Sequence, residues 1–203
     1  TRRVLNELQQ KADKDAESYT GFWENFGPLV KEGLYEDATH KDALLKLARF
    51  RTTKDDGWVS LAQYVARMAQ NQTAIYTIAG DDLAALKRSP QLEGFRAKGV
   101  EVLLLTDPVD EFWTSTVQEY EGKPLKSVTR AGADLSAIKA ADTDEPKDQE
   151  PEGAIGGLIA AVKLALGEAV KDVRVSDRLT DSACCLVADE NDMGLHLERL
   201  MRQ

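Results

Sequence analysis

The chain has 203 residues, 30% of them charged and 42% hydrophobic, enough for one large or two small domains of ordinary globular composition. A net charge of −9 without a basic patch argues against nucleic acid as a partner. No apolar run approaches the ~20 residues a membrane helix needs and no signal peptide opens the chain, so no membrane partner is expected and the cytoplasm is the expected location.

The charge is uneven along the sequence. Residues 1–130 carry 20 acidic and 18 basic side chains, net −2, whereas 131–203 carry 15 and 8, net −7. A boundary near 131 is therefore expected before any motif is read.

Residues 2–30 read as helix, with Leu5, Leu8, Tyr19, Phe22, Trp23 and Phe26 recurring at threes and fours until Gly27-Pro28 interrupts the pattern. That spacing stacks Phe22, Trp23 and Phe26 on one stripe, read as core. Residues 42–50 form a second short helix around Leu44, Leu45 and Leu47, followed by a polar loop at 52–57. Ser60-Leu61-Ala62-Gln63 is a capping box whose helix buries Leu61, Tyr64, Val65 and Met68. Strand 74–79 ends at Gly80, Asp81-Asp82 opens a short helix to Ser89, and Ser89-Pro90 caps another that Gly99 closes. Strand 100–106, a helix from 107 to about 120 and strand 125–129 follow. Strands alternating with helices imply a small, largely parallel α/β layer.

Residues 140–153 hold six acidic side chains, one lysine and two prolines, with only alanines as apolar residues. Such a stretch buries too little surface to offset its ordering and reads as a mobile linker. After it, Ile155, Leu158, Ile159, Val162 and Leu166 form a helical stripe, strands are expected at 172–176 and 183–187, and a helix runs from about 192. The expected fold is thus α/β followed by α+β: a helical part (1–72), a small α/β layer (73–130), an acidic linker (131–153) and a small α+β unit (154–203).

In the last helix Met193, Leu197, Leu200 and Met201 sit at i, i+4, i+7 and i+8, opposite Glu198, Arg199 and Arg202. Packing on its own unit is the plain reading. Nothing follows Gln203 to cover that face, however, and methionines suit adaptable surfaces. A pattern running to the last residue suggests a piece cut from something longer. The adjacent Cys184 and Cys185 would point to opposite faces of a strand, poorly placed to bond each other, and read as small buried hydrophobes in a reducing compartment.

One stretch, Asp107-Pro108-Val109-Asp110-Glu111-Phe112-Trp113, supports two readings. As a helix start, Asp107 is the N-cap, Pro108 is N1, and Asp110 and Glu111 favour the positive end of the dipole. As a strand end, Asp107, Asp110 and Glu111 form a carboxylate cluster for an enzyme, with Mg²⁺ as its cofactor. Neither accounts for Phe112 and Trp113, which cannot share one direction on a helix, so one aromatic is expected on the surface. No Gly-rich phosphate loop or nucleophile elbow is present, and His40 and His196 lack metal-ligand spacing. The residues themselves describe an interaction module.

Several blocks resemble the heat-shock protein 90 chaperone family. Phe22-Trp23-Glu24-Asn25-Phe26-Gly27, Leu47-Ala48-Arg49-Phe50 and Ser60 to Met68 are similar to its middle domain. So, in order, are Gln72 to Gly80, Ser89-Pro90-Gln91-Leu92-Glu93, Asp107-Pro108-Val109-Asp110-Glu111 and Gly122 to Thr129. Val170 to Ser176 and Arg178-Leu179-Thr180-Asp181-Ser182 resemble the start of its C-terminal domain, and the wording is that of the bacterial form. Tyr76-Thr77-Ile78-Ala79-Gly80 and His40-Lys41 depart from the family's usual residues, away from any proposed site.

The resemblance implies a homodimeric, ATP-driven chaperone for non-native client proteins, with co-chaperones as possible further partners. It also implies that the ATP and Mg site, the catalytic-loop arginine and the closing dimerisation helices lie outside this chain, which should be monomeric and without ATPase activity or cofactor. Carried over by position, the client surface is Glu111, Phe112 and Trp113 together with Met193, Leu197, Leu200 and Met201. A structural spacer between the ATPase and dimerisation domains is the alternative.

Overall fold

The N-terminal third is helical because its apolar positions return every three to four residues, but its breaks fall elsewhere than the pattern predicts. Helix α1 (Arg2–Lys14) ends at Asp15, whose carboxylate accepts from the Ser18 amide and caps α2 (Ala16–Glu36). Gly27-Pro28 does not interrupt α2. Tyr19, Trp23, Gly27, Lys31 and Leu34 bury one face along its length, and that tertiary packing outweighs the single amide that Pro28 lacks. Gly27 is needed for space: a Cβ there would lie 2.9 Å from Cε2 of Trp23. The expected aromatic stripe splits, with Trp23 inside and Phe26 exposed, stacked at 5.3 Å on the partly buried Phe22.

The computed structural model describes residues 1–133, 135, 138, 152–176, 178–190 and 192–202. Helix α3 (Lys41–Leu47) is shorter than expected, because 49–52 form strand β1 (Arg49–Thr52), paired with β2 (Val59–Ser60). Ser60 and Gln63 close a reciprocal capping box at α4 (Leu61–Ala66). Strand β3 (Ile75–Ala79), helices α5 (Leu83–Lys87) and α6 (Glu93–Ala97), and strand β4 (Leu103–Leu105) follow. After them come α7 (Asp110–Thr116), β5 (Glu119–Tyr120) and β6 (Lys123–Ser127). Helix α7 stops earlier than expected, since 119–127 turn into an antiparallel hairpin through Glu121 and Gly122, both at positive φ.

The strand order is β2-β1-β4-β3-β6-β5, with parallel pairing at β4–β3–β6 and antiparallel edges. Both sheet faces are covered, and strand alternation sorts the side chains between them. Ile75, Leu103 and Leu105 join Trp23, Leu34, Leu47, Phe50 and Trp113 under the helices of the first half. Tyr76, Ile78, Val102 and Leu104 join Leu92 and Phe95 on the other side. Tyr64 ties α4 to the sheet, its hydroxyl donating to the Glu101 carbonyl at 2.6 Å and accepting from the Tyr76 amide at 3.1 Å. Mixed α/β architecture is thus what the alternation predicts.

Residues beyond 130 depart further from expectation. Ala133, Leu135 and Ile138, within the stretch expected as linker, are buried in the second core. The acidic stretch 140–151 lies outside the described residues. Helix α8 (Glu152–Leu166) forms where its periodicity predicts, yet its stripe is largely uncovered, with Leu158 65% exposed. The strands expected at 172–176 and 183–187 do not form. Among the described residues the only pairing there is an isolated parallel bridge between Arg130 and Ala188. Cys184 is therefore exposed and Cys185 only half-buried, rather than packed in a strand. Helix α9 (Leu195–Met201) closes the described chain.

Candidate functional site

The acidic stretch after β4 is organised around a lysine from α2. Lys31 Nζ lies 2.7 Å from Asp107 Oδ2 and 2.8 Å from Asp110 Oδ1, with Lys31 3% and Asp110 1% exposed. Asp110 also accepts from the Trp113 indole at 2.6 Å and, through Oδ2, from the Asp107 amide at 3.0 Å. The helix-start reading is thereby corrected. Residues 107–109 form a turn, α7 begins at Asp110 after Val109, and the Asp107 carboxylate binds Lys31 rather than an amide, while Asp110 binds Lys31 and the Asp107 amide together. An ammonium group between two carboxylates also takes the position a divalent cation would occupy. Among the described residues, no group of three or more His, Cys, Asp and Glu side chains could hold a metal ion.

This network aims the two neighbouring aromatics in opposite directions. Trp113 is fully buried, 5.6 Å from the Phe50 ring, and cannot serve as a contact surface. Phe112 is 56% exposed, with one side against Tyr35 at 5.9 Å. Anchoring Trp113 at the indole is what turns Phe112 outward, since consecutive helical residues lie about 100° apart.

Glu111 connects this aromatic to the last helix. It is half-buried, and burial raises its carboxyl pKa above the usual range, a shift that the charges of His196 and Arg130 oppose. A Cβ on Gly194 would stand 3.8 Å from Glu111 Oε2 and 4.0 Å from Arg130 Nη2, so α9 starts against the side of α7. His196 Nε2 reaches Asp81 at 3.6 Å. Of the apolar residues singled out at this end, Met193 is 46% and Met201 72% exposed, while Leu197 and Leu200 are half-buried. The structure therefore sets the start of α9, at Gly194 and His196, against Glu111, leaves Phe112 exposed on the same helix as Glu111, and buries Trp113.

Pattern reading missed Lys31, which looks like any surface lysine on a polar helix and is revealed only by the turn that meets it. It also gave no role to Gln91, Glu93 and Arg178, although all three lie in motif blocks singled out for their resemblance. These residues bind the segment leading to α9 onto the α/β layer. No helix among the described residues is long and apolar enough to cross a membrane.

The family model described as Hsp90 protein matches residues 1–203. The chain is 58% identical over 203 residues to the chaperone protein HtpG of Paramagnetospirillum magneticum, covering 99% of this chain and 33% of that protein. It is 53% identical over 206 residues to the HtpG of Roseobacter denitrificans, with 100% and 33% covered, and 55% identical over 207 residues to that of Azorhizobium caulinodans, with 99% and 32% covered. The chain spans about a third of the length of the relatives it matches. The family model across residues 1–203 and this identity along the whole sequence agree: the chain belongs to the Hsp90 family.

Proposed function

We propose that this chain is the client-holding and coupling part of an ATP-driven chaperone that acts on non-native proteins. Residues 1–130 would be the second half of the middle domain and 154–203 the start of the C-terminal domain, which in the longer protein joins the ATPase head to the dimer interface. The observation that supports the reading is the start of α9 against Glu111 of α7, with Phe112 exposed on one helix and Met193 and Met201 exposed at the other, so that Phe112, Met193, Leu197, Leu200 and Met201 would form one client surface. Half-exposed aromatic and methionine side chains rimmed by charge suit weak, adaptable capture of apolar segments. Each newly buried side chain offers roughly 1.5–3 kcal/mol before ordering costs, so micromolar or weaker affinity is expected.

An open groove of about 540 Å³ along α1 mixes Arg3, Lys11 and Lys14 with Glu7 and apolar side chains. No step involving ATP is assigned to this chain's residues. A spacer role without client contact is the second reading, supported by the hydrogen bonds that run from 91–93 and 128–133 to 178–188.

The test is fluorescence anisotropy of a fluorescein-labelled, reduced and carboxymethylated lactalbumin, titrated with the chain and with its Phe112→Ala/Met193→Ala variant. Saturable binding that the variant loses while keeping its melting temperature is the expected result. Binding unchanged in the variant would sink the assignment of these residues, and no binding by either form would leave the spacer.

A further inference from the structure

Residues 178–188 have no strand ladder, yet they lie along the rim of the α/β layer through a small set of strong contacts. The Glu93 carboxylate, at the start of α6, accepts from the backbone amides of Thr180 at 2.8 Å, Asp181 at 3.0 Å and Ser182 at 3.1 Å, and also from the Ser182 hydroxyl. The Arg178 guanidinium runs the other way, donating to the carbonyls of Val128 (2.9 Å), Arg130 (3.0 Å), Ala131 (3.2 Å) and Ala133 (3.0 Å). Further along, Gln91 donates to the Leu186 carbonyl, and Ala188 exchanges bonds with Thr129 and Ala131.

Apart from the Ser182 hydroxyl, both ionic side chains spend their hydrogen bonds on backbone, and none on each other. A carboxylate on consecutive amides and a guanidinium on clustered carbonyls grip the path of an irregular chain whatever its side chains are. The fit is also steric. A Cβ on Gly94 would come within 2.8 Å of the Arg178 carbonyl oxygen, a backbone atom that cannot swing away. The rest of this junction is less fully satisfied. Gln91 Oε1, Arg130 Nε and His196 Nδ1 are buried without a hydrogen-bond partner. The junction thus depends on a few strong bonds more than on close packing, and their loss should open it locally.

We propose that Glu93 and Arg178 are positioning residues that clasp 178–188 to the α/β layer and thereby hold α9 beside Phe112, so that the two apolar strips act as one surface. The client half of this proposal rests on the function proposed above. The same four donors hold the Glu93 carboxyl down at about 2, the Ser182 hydroxyl contributing most, so the clasp stays charged throughout the neutral range.

The experiment compares hydrogen exchange and lactalbumin anisotropy for the whole chain and its Glu93→Ala, Glu93→Gln, Gly94→Ala and Phe112→Ala variants. Glu93→Ala and Gly94→Ala should speed exchange across 178–202 by about tenfold while leaving β3 and β4 unchanged. They should also weaken probe binding about threefold, as expected when two linked contacts stop acting together. Glu93→Gln keeps one acceptor oxygen and should fall between. Exchange at 178–202 equal to wild type in both alanine variants would overturn the clasp. Faster exchange with unchanged probe affinity would overturn its role in positioning the surface. If the wild-type chain binds no probe, the client reading falls together with that second half, and the exchange data alone decide the clasp; Phe112→Ala should lose affinity with no change in exchange.

Discussion

Residues 1–138 and 152–202 have similar apolar patterning and opposite outcomes. The first region closes on itself: a six-stranded sheet is covered on both faces, and its alternating side chains divide between two cores. In the second, Ala188, 9% exposed, is the only described hydrophobic residue that counts as buried, while Leu158, Leu164, Leu166 and Met201 face outward. Periodicity tells which residues want cover and not what covers them. The second region keeps its place through backbone grips on the first, so the two should differ in how they respond to mutation, exchange and pH.

The largest effects belong to the first region. Lys31→Ala would leave Asp110 and the half-buried Asp107 without their cation, at a cost of about 3–5 kcal/mol in urea unfolding. Trp113→Ala opens a cavity beside Phe50 and takes one hydrogen bond from the Asp110 carboxylate, a loss of ~3–5 kcal/mol. Its neighbour Phe112 gives the internal control, since Phe112→Ala removes only one ring face from Tyr35 and should cost less than about 1 kcal/mol. Equal losses at 112 and 113 would mean that both are core and would end the contact-surface reading. Leu158→Ala on α8 should change stability by no more than ~0.5 kcal/mol, and a larger loss would show that this helix is packed.

A smaller effect, in kinetics of opening, should separate the regions without mutation. Amides in β3 and β4 are central in the sheet and should exchange only with global unfolding, whereas those of 172–188 should exchange through local opening. One rate class for both would merge them into a single cooperative unit.

The same contrast explains what could be read in advance. Local chemistry was legible wherever neighbours in sequence decide the structure: the capping box at Ser60 and Gln63, the Asp82 and Ser89 caps, and the parallel β3, β4 and β6. The break expected at Gly27-Pro28 failed because burial of Trp23 and Lys31 decides that helix, and the partners of both are distant in sequence. Strands at 172–176 and 183–187 failed for the complementary reason, since apolar residues need a sheet edge before they form a ladder. At the site, the outward aromatic was foreseeable from two consecutive rings. That the outward one is Phe112 follows from the Trp113–Asp110–Lys31 chain, whose lysine lies 76 residues from Asp107 in sequence.

The smallest predicted effects are two pH dependences of opposite sign, both from carboxylates of the first region that face the second. Glu93 has a folded pKa of about 2, below its ordinary value of 4.5. Its contribution is therefore present above about pH 4.5 and disappears as pH falls toward 2. Glu93→Gln should be less stable than wild type at pH 7, with the gap closing in acid. Glu111 is shifted upward, chiefly by burial, so the folded chain holds its proton more firmly than the unfolded chain does. Stability from that group is complete below the ordinary carboxyl range and is lost as pH rises through the folded value. Glu111→Gln should therefore match wild type in acid and exceed it at neutral pH, by less than about 1 kcal/mol because the group is only half-buried and solvent screens it. Paired urea curves for the two variants between pH 2 and 7 should diverge in opposite directions from wild type as pH rises. Parallel curves would mean that Glu111 is not desolvated against α9, and the continuity of Phe112 with the Met193 strip would lose its physical basis.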